Sequence, residues 1–245
     1  MRSPMFVSAA QIGRLTAAGL FALGTLVLVA GPASAASFRV SPVKLTLLAK
    51  RPVGSLIVSS GDGAPVAVRV ATYRWTQVDG KDVYTPTDDV IASPPIFTAP
   101  AGTKQLVRVG LRHRTPGAAY RVMLQEIPGP TAEKGIRIAM TLNLPLYVVD
   151  DPLAKSDVRW TAWRGADGHV VIEGRNQGVA YQQVTRIALA GSATPLSEAM
   201  GVVLPASMRH WDIGQHPELK TSSVLRLSVR TADGDNEVTA NLSAR

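Results

Sequence analysis

Only a few side chains in this sequence have the types and spacing that could perform chemistry. His210, Asp212 and His216 form a cluster with the residue types of a zinc site. They fall in a predicted strand followed by a loop, where the three side chains need not converge, so we expect no metal there. The adjacent carboxylates at 88–89 and 150–151 point to opposite faces of an extended chain and do not predict an acid–base pair.

The usual catalytic motifs are missing from the sequence as well. The chain has no cysteine, which excludes a thiol nucleophile and a thiolate metal site. It also lacks a Gly-x-Ser-x-Gly elbow, a His-Glu-x-x-His motif and a phosphate-binding loop. His113 and His169 fall in predicted loops, where solvated side chains are the expectation. We therefore expect a protein that is not an enzyme and needs no metal or cofactor.

One segment has the periodicity of a strand and an excess of apolar surface. Residues 136–149 read I-R-I-A-M-T-L-N-L-P-L-Y-V-V, with an apolar side chain on every second position. The apolar row consists of Ile136, Ile138, Met140, Leu142, Leu144 and Leu146. Strands average about five to six residues, so we interpret the extra length as a surface for a second protein. Two alternatives stay open, namely a core strand of the chain's own domain and a homodimer interface.

The first 35 residues have the features of a secretory signal peptide. Arg2 and Arg14 precede an apolar run over residues 15–30, and A-S-A at residues 33–35 has the small-x-small form of a cleavage site. The alternative, a retained membrane anchor, requires about 20 apolar residues without a helix breaker. We expect cleavage after Ala35 and no stable membrane insertion afterwards.

The remaining chain is basic. Loss of the two N-terminal arginines lowers the formal net charge from +8 to +6. An exported protein does not ordinarily meet nucleic acid, so we expect the positive charge to face carboxylates of a protein partner. Without cysteine, no disulfide can staple the fold, and hydrophobic cores must hold it.

Short strand-like runs fill the rest of the sequence, without helical periodicity. In the first half they are predicted at 38–47 with a break at Pro42, and at 55–60, 66–75, 105–111 and 120–127, with a hairpin turn at Asp79-Gly80. In the second half they are predicted at 158–163, 170–173, 184–190, 201–204, 222–230 and 238–242. The pattern predicts an all-β protein with two immunoglobulin-like β-sandwich domains, at 36–149 and 150–245, after a signal peptide at 1–35.

The order of several motifs resembles a known family. Y-R-V-M-L-Q-E-I-P at 120–128, followed by the alternating segment at 136–148, resembles the PapD-like periplasmic chaperones of the chaperone–usher pilus pathway. Three further motifs are similar to its archaic, spore-coat-like branch: R-W-T-Q at 74–77, A-S-P-P-I-F at 92–97 and A-G-T-K-Q-L-V-R-V at 101–109. The resemblance covers the mature chain, most closely over residues 38–149.

The resemblance implies a function for the long strand. Members of the family lend this strand to a pilus subunit whose own sandwich lacks one, and they deliver the subunit to an outer-membrane usher. In this chain the implied donor strand is 136–148, with Ile136, Ile138, Met140, Leu142 and Leu144 as the side chains that fill the subunit groove. The implied location is the periplasm. The alternative function is a surface or secreted β-sandwich protein of adhesion or pilus structure.

The resemblance also implies a site for the subunit's C-terminal carboxylate, but this sequence departs from the family pattern there. Of the two cations that grip the carboxylate in better-known members, the first aligns with Lys44 and the second with Pro145, which cannot bind an anion. We expect Arg108 or Arg121 to supply the missing charge, since a guanidinium forms a bidentate pair with a carboxylate.

The family's interdomain acid aligns with Glu126. Its usual arginine partner is replaced by Val149, so we expect a rearranged contact between the domains, for which Asp233 and Asp235 are candidates.

Overall fold

The regular secondary structure of the protein consists of β-strands over the residues that the structure describes. The computed structural model describes residues 38–129 and 138–245, and the predicted signal peptide lies outside them. The described residues form eighteen β-strands and no α-helix. In this part of the chain no helix has the length and apolar character needed to cross a membrane.

The first ten strands build a sandwich of two sheets. They are β1 (Phe38–Ser41), β2 (Leu45–Leu48), β3 (Val53–Ser60), β4 (Val66–Val78), β5 (Lys81–Pro86), β6 (Val90–Ser93), β7 (Ile96–Ala99), β8 (Lys104–Leu111), β9 (Ala119–Ile127) and β10 (Thr141–Val149). One sheet has the order β1-β3-β8-β6. The other has the order β2-β10-β9-β4-β5, with β7 also pairing with β4.

Alternating apolar residues of both sheets meet in the core of this sandwich. The fully buried members include Leu56 and Val58 of β3, Val107 of β8 and Leu124 of β9. Their neighbours in sequence face outward, as period-two alternation requires. The core therefore fixes which face of each strand is available to a partner.

The last eight strands form one continuous sheet that folds over a second core. They are β11 (Val158–Arg164), β12 (His169–Asn176), β13 (Gln182–Leu189), β14 (Pro195–Ser197), β15 (Gly201–Val203), β16 (Met208–Gln215), β17 (Val224–Thr231) and β18 (Gly234–Ala244). The order is β14-β13-β17-β18-β11-β12-β16, and β15 pairs with β13. The second core includes Ile172, Val184, Ile187 and Leu227, all fully buried.

Several features of the predicted fold are confirmed. The chain is all-β, and the break predicted at Pro42 separates β1 from β2. Asp79 and Gly80 form the two-residue loop between β4 and β5, and both have positive φ, 48° and 73°. This is the backbone of a type I′ hairpin turn, which Asp-Gly favours.

The long alternating strand is shorter than predicted. Strand β10 begins at Thr141, and residues 138–140 have no strand structure. Ile136 lies outside the described residues. The regular strand of the predicted 136–149 segment is therefore its C-terminal part.

Candidate functional site: an open strand edge beside two cations

Half of β10 has a neighbouring strand on one side only. It pairs antiparallel with β9 from Thr141 to Tyr147. On the other side, β2 runs parallel to it only from Leu146 to Val149. Within the described residues, the edge of β10 over residues 141–145 is therefore unpaired. An unpaired edge is a template for another strand.

The backbone groups at this edge can be assigned from the bonds at either end of the strand. The carbonyl of Val149 accepts a hydrogen bond from Ala49 on the β2 side, at 2.9 Å. The carbonyl of Met140 accepts one from Glu126 on the β9 side, also at 2.9 Å. Because successive residues of a strand point their N–H and C=O groups to opposite sides, Thr141 and Asn143 face the open edge. Pro145 also faces the open edge. Proline has no N–H, and at this position the ladder to β9 does not need one.

Exposure of the apolar row falls steadily along the segment. Ile138 is 85% exposed, and Met140 and Leu142 are half-buried against the first core. Leu144 is only 6% exposed and belongs to that core. The prediction that Leu144 fills a partner's groove is thus corrected, because its side chain already packs in the chain's own sandwich. Ile138, Met140 and Leu142 remain the predicted donors.

Two basic side chains flank Pro145 on the neighbouring strands. Arg121 of β9 pairs with Pro145, and Lys44 directly precedes Leu45, which pairs with Leu146. Pro145 and Arg121 thus lie opposite each other on neighbouring strands. Lys44 lies one residue before β2, at the point where β2 begins to pair with β10. Pro145 itself carries no charge, but it has a basic residue on each side.

The environment of Arg121 leaves part of its guanidinium unused. Its guanidinium carbon lies 3.7 Å from the ring centre of Trp75 and 5.5 Å from that of Tyr84. Its Nε is buried and has no hydrogen-bond partner. A buried donor without a partner is costly.

Lys44 is held by a side chain from the second half of the chain. Its Nζ donates a hydrogen bond to the hydroxyl of Tyr181 at 3.1 Å and lies 5.8 Å from the centre of that ring. The Tyr181 ring stacks on Tyr147 of β10, with centres 3.5 Å apart. Burial raises the pKa of Tyr147, and the neighbouring Tyr181 raises it further. The Tyr147 phenol therefore stays neutral at physiological pH.

Two of the predicted site residues lie elsewhere. Arg108 is exposed on β8, where it pairs with Ser55 of β3 and Ser93 of β6. These strands form one sheet of the sandwich, whereas β9 and β10 belong to the other sheet. The structure therefore does not bring Arg108 to Lys44.

Glu126 is not at the junction between the two cores. Its carboxylate accepts the Met140 N–H at 3.1 Å, at the end of β9 opposite to Ala119, which packs at the junction. The prediction of an interdomain role is corrected, and Glu126 instead caps the start of the open edge. Asp235, a candidate for the rearranged contact, pairs with Arg230 on its own hairpin at 2.8 Å.

Further contacts that join the two cores come from the β4–β5 hairpin. Asp82 forms an ion pair with Arg209 of β16 at 2.5 Å. The Gln77 amide donates to the Val202 carbonyl at 2.6 Å and accepts from the Leu204 N–H at 3.0 Å. Burial raises the pKa of Asp82, but hydrogen bonds from Gln77, Trp75 and Arg209 outweigh it and hold the pKa below its ordinary value.

The turn of the same hairpin approaches β16 closely. The Gly80 carbonyl accepts the His210 N–H at 3.0 Å, and a Cβ at Gly80 would lie 2.1 Å from the His210 ring. Only glycine fits both the positive φ and this approach. His210 in turn contacts Glu173 at 2.9 Å and Asp212 contacts His169 at 3.0 Å, so the cluster His210, Asp212 and His216 does not converge.

Sequence reasoning missed four residues of this region: Gln77, Asp82, Tyr181 and Arg209. Two signals were available: the R-W-T-Q motif contains Gln77, and the Asp79-Gly80 turn fixes the hairpin that carries Gln77 and Asp82. Arg209 falls in V-L-P-A-S-M-R-H-W at 203–211, a segment similar to the family that gave it no individual role, and Tyr181 had no motif to mark it.

The comparisons with known proteins agree with this architecture. Residues 37–151 match the family model described as pili and flagellar-assembly chaperone, PapD N-terminal domain. No curated protein matches the sequence.

Solved structures with the same fold cover most of the chain. A chain of the CsuC–CsuE chaperone–tip adhesion subunit pre-assembly complex, from archaic chaperone–usher Csu pili of Acinetobacter baumannii, is 20% identical with a TM-score of 0.67, covering 84% of this chain and 99% of that chain. The Escherichia coli chaperone DraB is 16% identical with a TM-score of 0.58, covering 85% and 98%. A chain of the Salmonella enterica SafA pilin–SafB chaperone complex is 14% identical with a TM-score of 0.58, covering 82% and 93%. At these identities the likeness establishes the two-sandwich fold.

Proposed function

We propose that this chain, which belongs to the PapD-like pilus-assembly chaperones through its residues 37–151, binds a fimbrial subunit by adding the open edge of β10 to it. The proposal includes cleavage of the signal peptide after Ala35, action in the periplasm and delivery of the subunit to an outer-membrane usher. It also includes a division into an N-terminal domain at 36–149, which carries the donor edge, and a C-terminal domain at 150–245.

The observation that carries the proposal is the unpaired edge at 141–145, preceded by an apolar side chain in solvent. Strand addition requires free backbone donors and acceptors and alternating side chains that reach the partner's pockets. Thr141 and Asn143 supply the backbone groups, and Ile138, Met140 and Leu142 supply the side chains.

The energy of such an interaction is compatible with reversible capture. Burial of one apolar side chain contributes about 1.5–3 kcal/mol, so three contribute roughly 5–9 kcal/mol before any cost. Association costs about 4–15 kcal/mol. The apolar row alone is therefore marginal, and backbone bonds and a charged anchor must complete the affinity.

Lys44 and Arg121 are the anchor that we propose for the subunit's C-terminal carboxylate. They flank Pro145 at the end of the open edge, so a subunit strand running along β10 would bring its terminus to them. Arg121 has ring contacts but no ion-pair partner among the described residues, so its charge is available for a carboxylate. In this arrangement Arg121, from the neighbouring strand, replaces the charge that Pro145 cannot provide.

Proline substitutions at neighbouring positions of β10 test the edge directly. We expect Asn143→Pro to leave the chaperone folded, because its N–H faces the open edge, and to weaken subunit binding by about three- to tenfold for one lost backbone bond. We expect Leu144→Pro to destabilise the protein by about 3 kcal/mol or more, because it removes a bond to β9. Denaturant titration and co-purification with a co-expressed fimbrial subunit measure the two effects.

The pair separates the proposed function from a purely structural role. If Asn143→Pro unfolds the protein as Leu144→Pro does, the edge is not free. If it stays folded and retains full subunit binding, the subunit does not pair with this edge.

A further inference from the structure

Both cations of the proposed anchor are connected to the second set of strands, β11 to β18. Lys44 contacts a side chain from this part of the chain directly, and Arg121 is connected to it through other side chains. Lys44 donates to the Tyr181 hydroxyl at 3.1 Å, and Tyr181 directly precedes β13. The Tyr181 ring rests flat on Tyr147, with an angle of 9° between the ring planes. The position of the Lys44 ammonium is thus determined from outside its own sandwich.

Arg121 is connected to the second set of strands through Trp75. Its guanidinium stacks on the Trp75 ring at 3.7 Å. The Trp75 Nε1–H donates to one carboxylate oxygen of Asp82 at 2.9 Å, and the other oxygen of Asp82 receives Arg209 at 2.5 Å. Trp75 is 2% exposed, so its ring has no freedom to turn without breaking these contacts.

These contacts have no function in donating a strand. The open edge of β10 ends at Pro145, before the junction contact at Tyr147, and its backbone groups are free whether or not Asp82 meets Arg209. What the junction contacts do determine is the position of two flexible, charged side chains. Lysine and arginine lose rotamer entropy when they are fixed, and fixing them before binding removes that cost from the binding step.

We propose that Tyr181 and Asp82 are positioning residues that preorganise Lys44 and Arg121 for a carboxylate, so that docking of the second set of strands determines the affinity of the anchor. This inference rests on the proposed function of Lys44 and Arg121. By linkage, a carboxylate bound at the anchor stabilises the same junction in return. The chain thus recognises the end of a partner with residues from both of its sandwiches.

The test uses two synthetic peptide probes, an alternating valine–threonine hexapeptide with a free C-terminal carboxylate and the same peptide as its C-terminal amide. The measured quantity is the ratio of their dissociation constants, obtained by titration calorimetry. We expect wild-type protein to prefer the free acid. We expect Tyr181→Phe, which keeps the stacked ring, and Asp82→Asn, which keeps its size, each to lower that preference by about three- to tenfold, with the affinity for the amide unchanged.

Two controls identify a positioning role. Arg230→Gln, in an exposed ion pair with Asp235 away from the junction, should leave the preference at the wild-type value. In a Lys44→Ala background, Tyr181→Phe should have no further effect, because the side chain that it positions is gone.

Each outcome decides the matter. If Tyr181→Phe and Asp82→Asn keep the wild-type preference, the inference is overturned and the anchor stands. If both variants weaken acid and amide equally, their role is structural, which also overturns it. If wild-type protein binds acid and amide alike, the proposed anchor fails and the inference fails with it.

Discussion

Replacing Ile138 and Met140 together with asparagine should give a folded protein that no longer retains a fimbrial subunit. Ile138 is 85% exposed and Met140 is half-buried at the start of β10, so the change should cost the chaperone's own stability little. The partner would lose two buried apolar side chains, about 3–6 kcal/mol. Binding should fall by roughly 100-fold or more. Circular dichroism and recovery of soluble complex after co-expression measure the two effects.

The contrasting variant is Leu146→Ala in the same strand. Leu146 is fully buried in the first core, so this change should cost about 2–5 kcal/mol of stability while leaving the exposed row intact. A double variant that unfolds, or one that still protects the subunit, would show that Ile138 and Met140 serve the chain's own core.

The second large effect is expected at Arg121. Arg121→Ala should reduce affinity for a subunit by roughly 30- to 4,000-fold, because truncating one partner of a desolvated charge pair costs about 2–5 kcal/mol. The fold should lose less, since the side chain makes ring contacts with Trp75 and Tyr84 but no ion pair among the described residues.

Arg108→Ala is the matched control for Arg121→Ala. Arg108 is an exposed arginine on the other sheet, so its removal should leave affinity within the experimental error of the wild type. Equal effects of the two substitutions would point to general electrostatic attraction and not to a carboxylate site at Arg121. Unchanged affinity in Arg121→Ala would remove it from the anchor.

The regular part of the fold was accessible from sequence. Period-two alternation and turn residues predicted the strands with apolar faces, such as β3, β8 and β9, because a half-buried strand must alternate. Strands β5 and β16 were indicated only indirectly, by the Asp79-Gly80 turn and by the strand expected around His210, and neither received predicted bounds. Their sequences, K-D-V-Y-T-P and M-R-H-W-D-I-G-Q, carry charges where the two strands meet at the junction, and period-two hydrophobicity does not describe such a surface.

The limits of β10 depended on information that the sequence does not contain. The alternating row continues without interruption from Ile138 to Val148, yet it changes from solvent to core at Leu144. Leu144 is buried among the residues of the first core, and β2 joins β10 two residues later, at Leu146. Where a neighbouring strand begins is a property of the topology, so pattern alone assigned Leu144 to the wrong surface.

The anchor shows the same division between local and long-range information. Alignment with the family pattern located Lys44 and the missing charge at Pro145. The proposal of Arg121 over Arg108 rests on the sheet to which each strand belongs, and the sequence does not contain that information. The contacts of Asp82 with Arg209 and of Lys44 with Tyr181 join residues that are distant in sequence, so no local pattern predicts them.

Amide hydrogen exchange at Thr141 and Asn143, measured in the free protein and in a complex with a co-expressed subunit, tests the central claim most directly. Both amides face the unpaired edge, so we predict fast exchange in the free protein and strong protection in the complex, while the amide of Leu144, which faces β9, is protected in both. Fast exchange at Thr141 and Asn143 in a stable complex would contradict the claim that this edge is lent to the subunit.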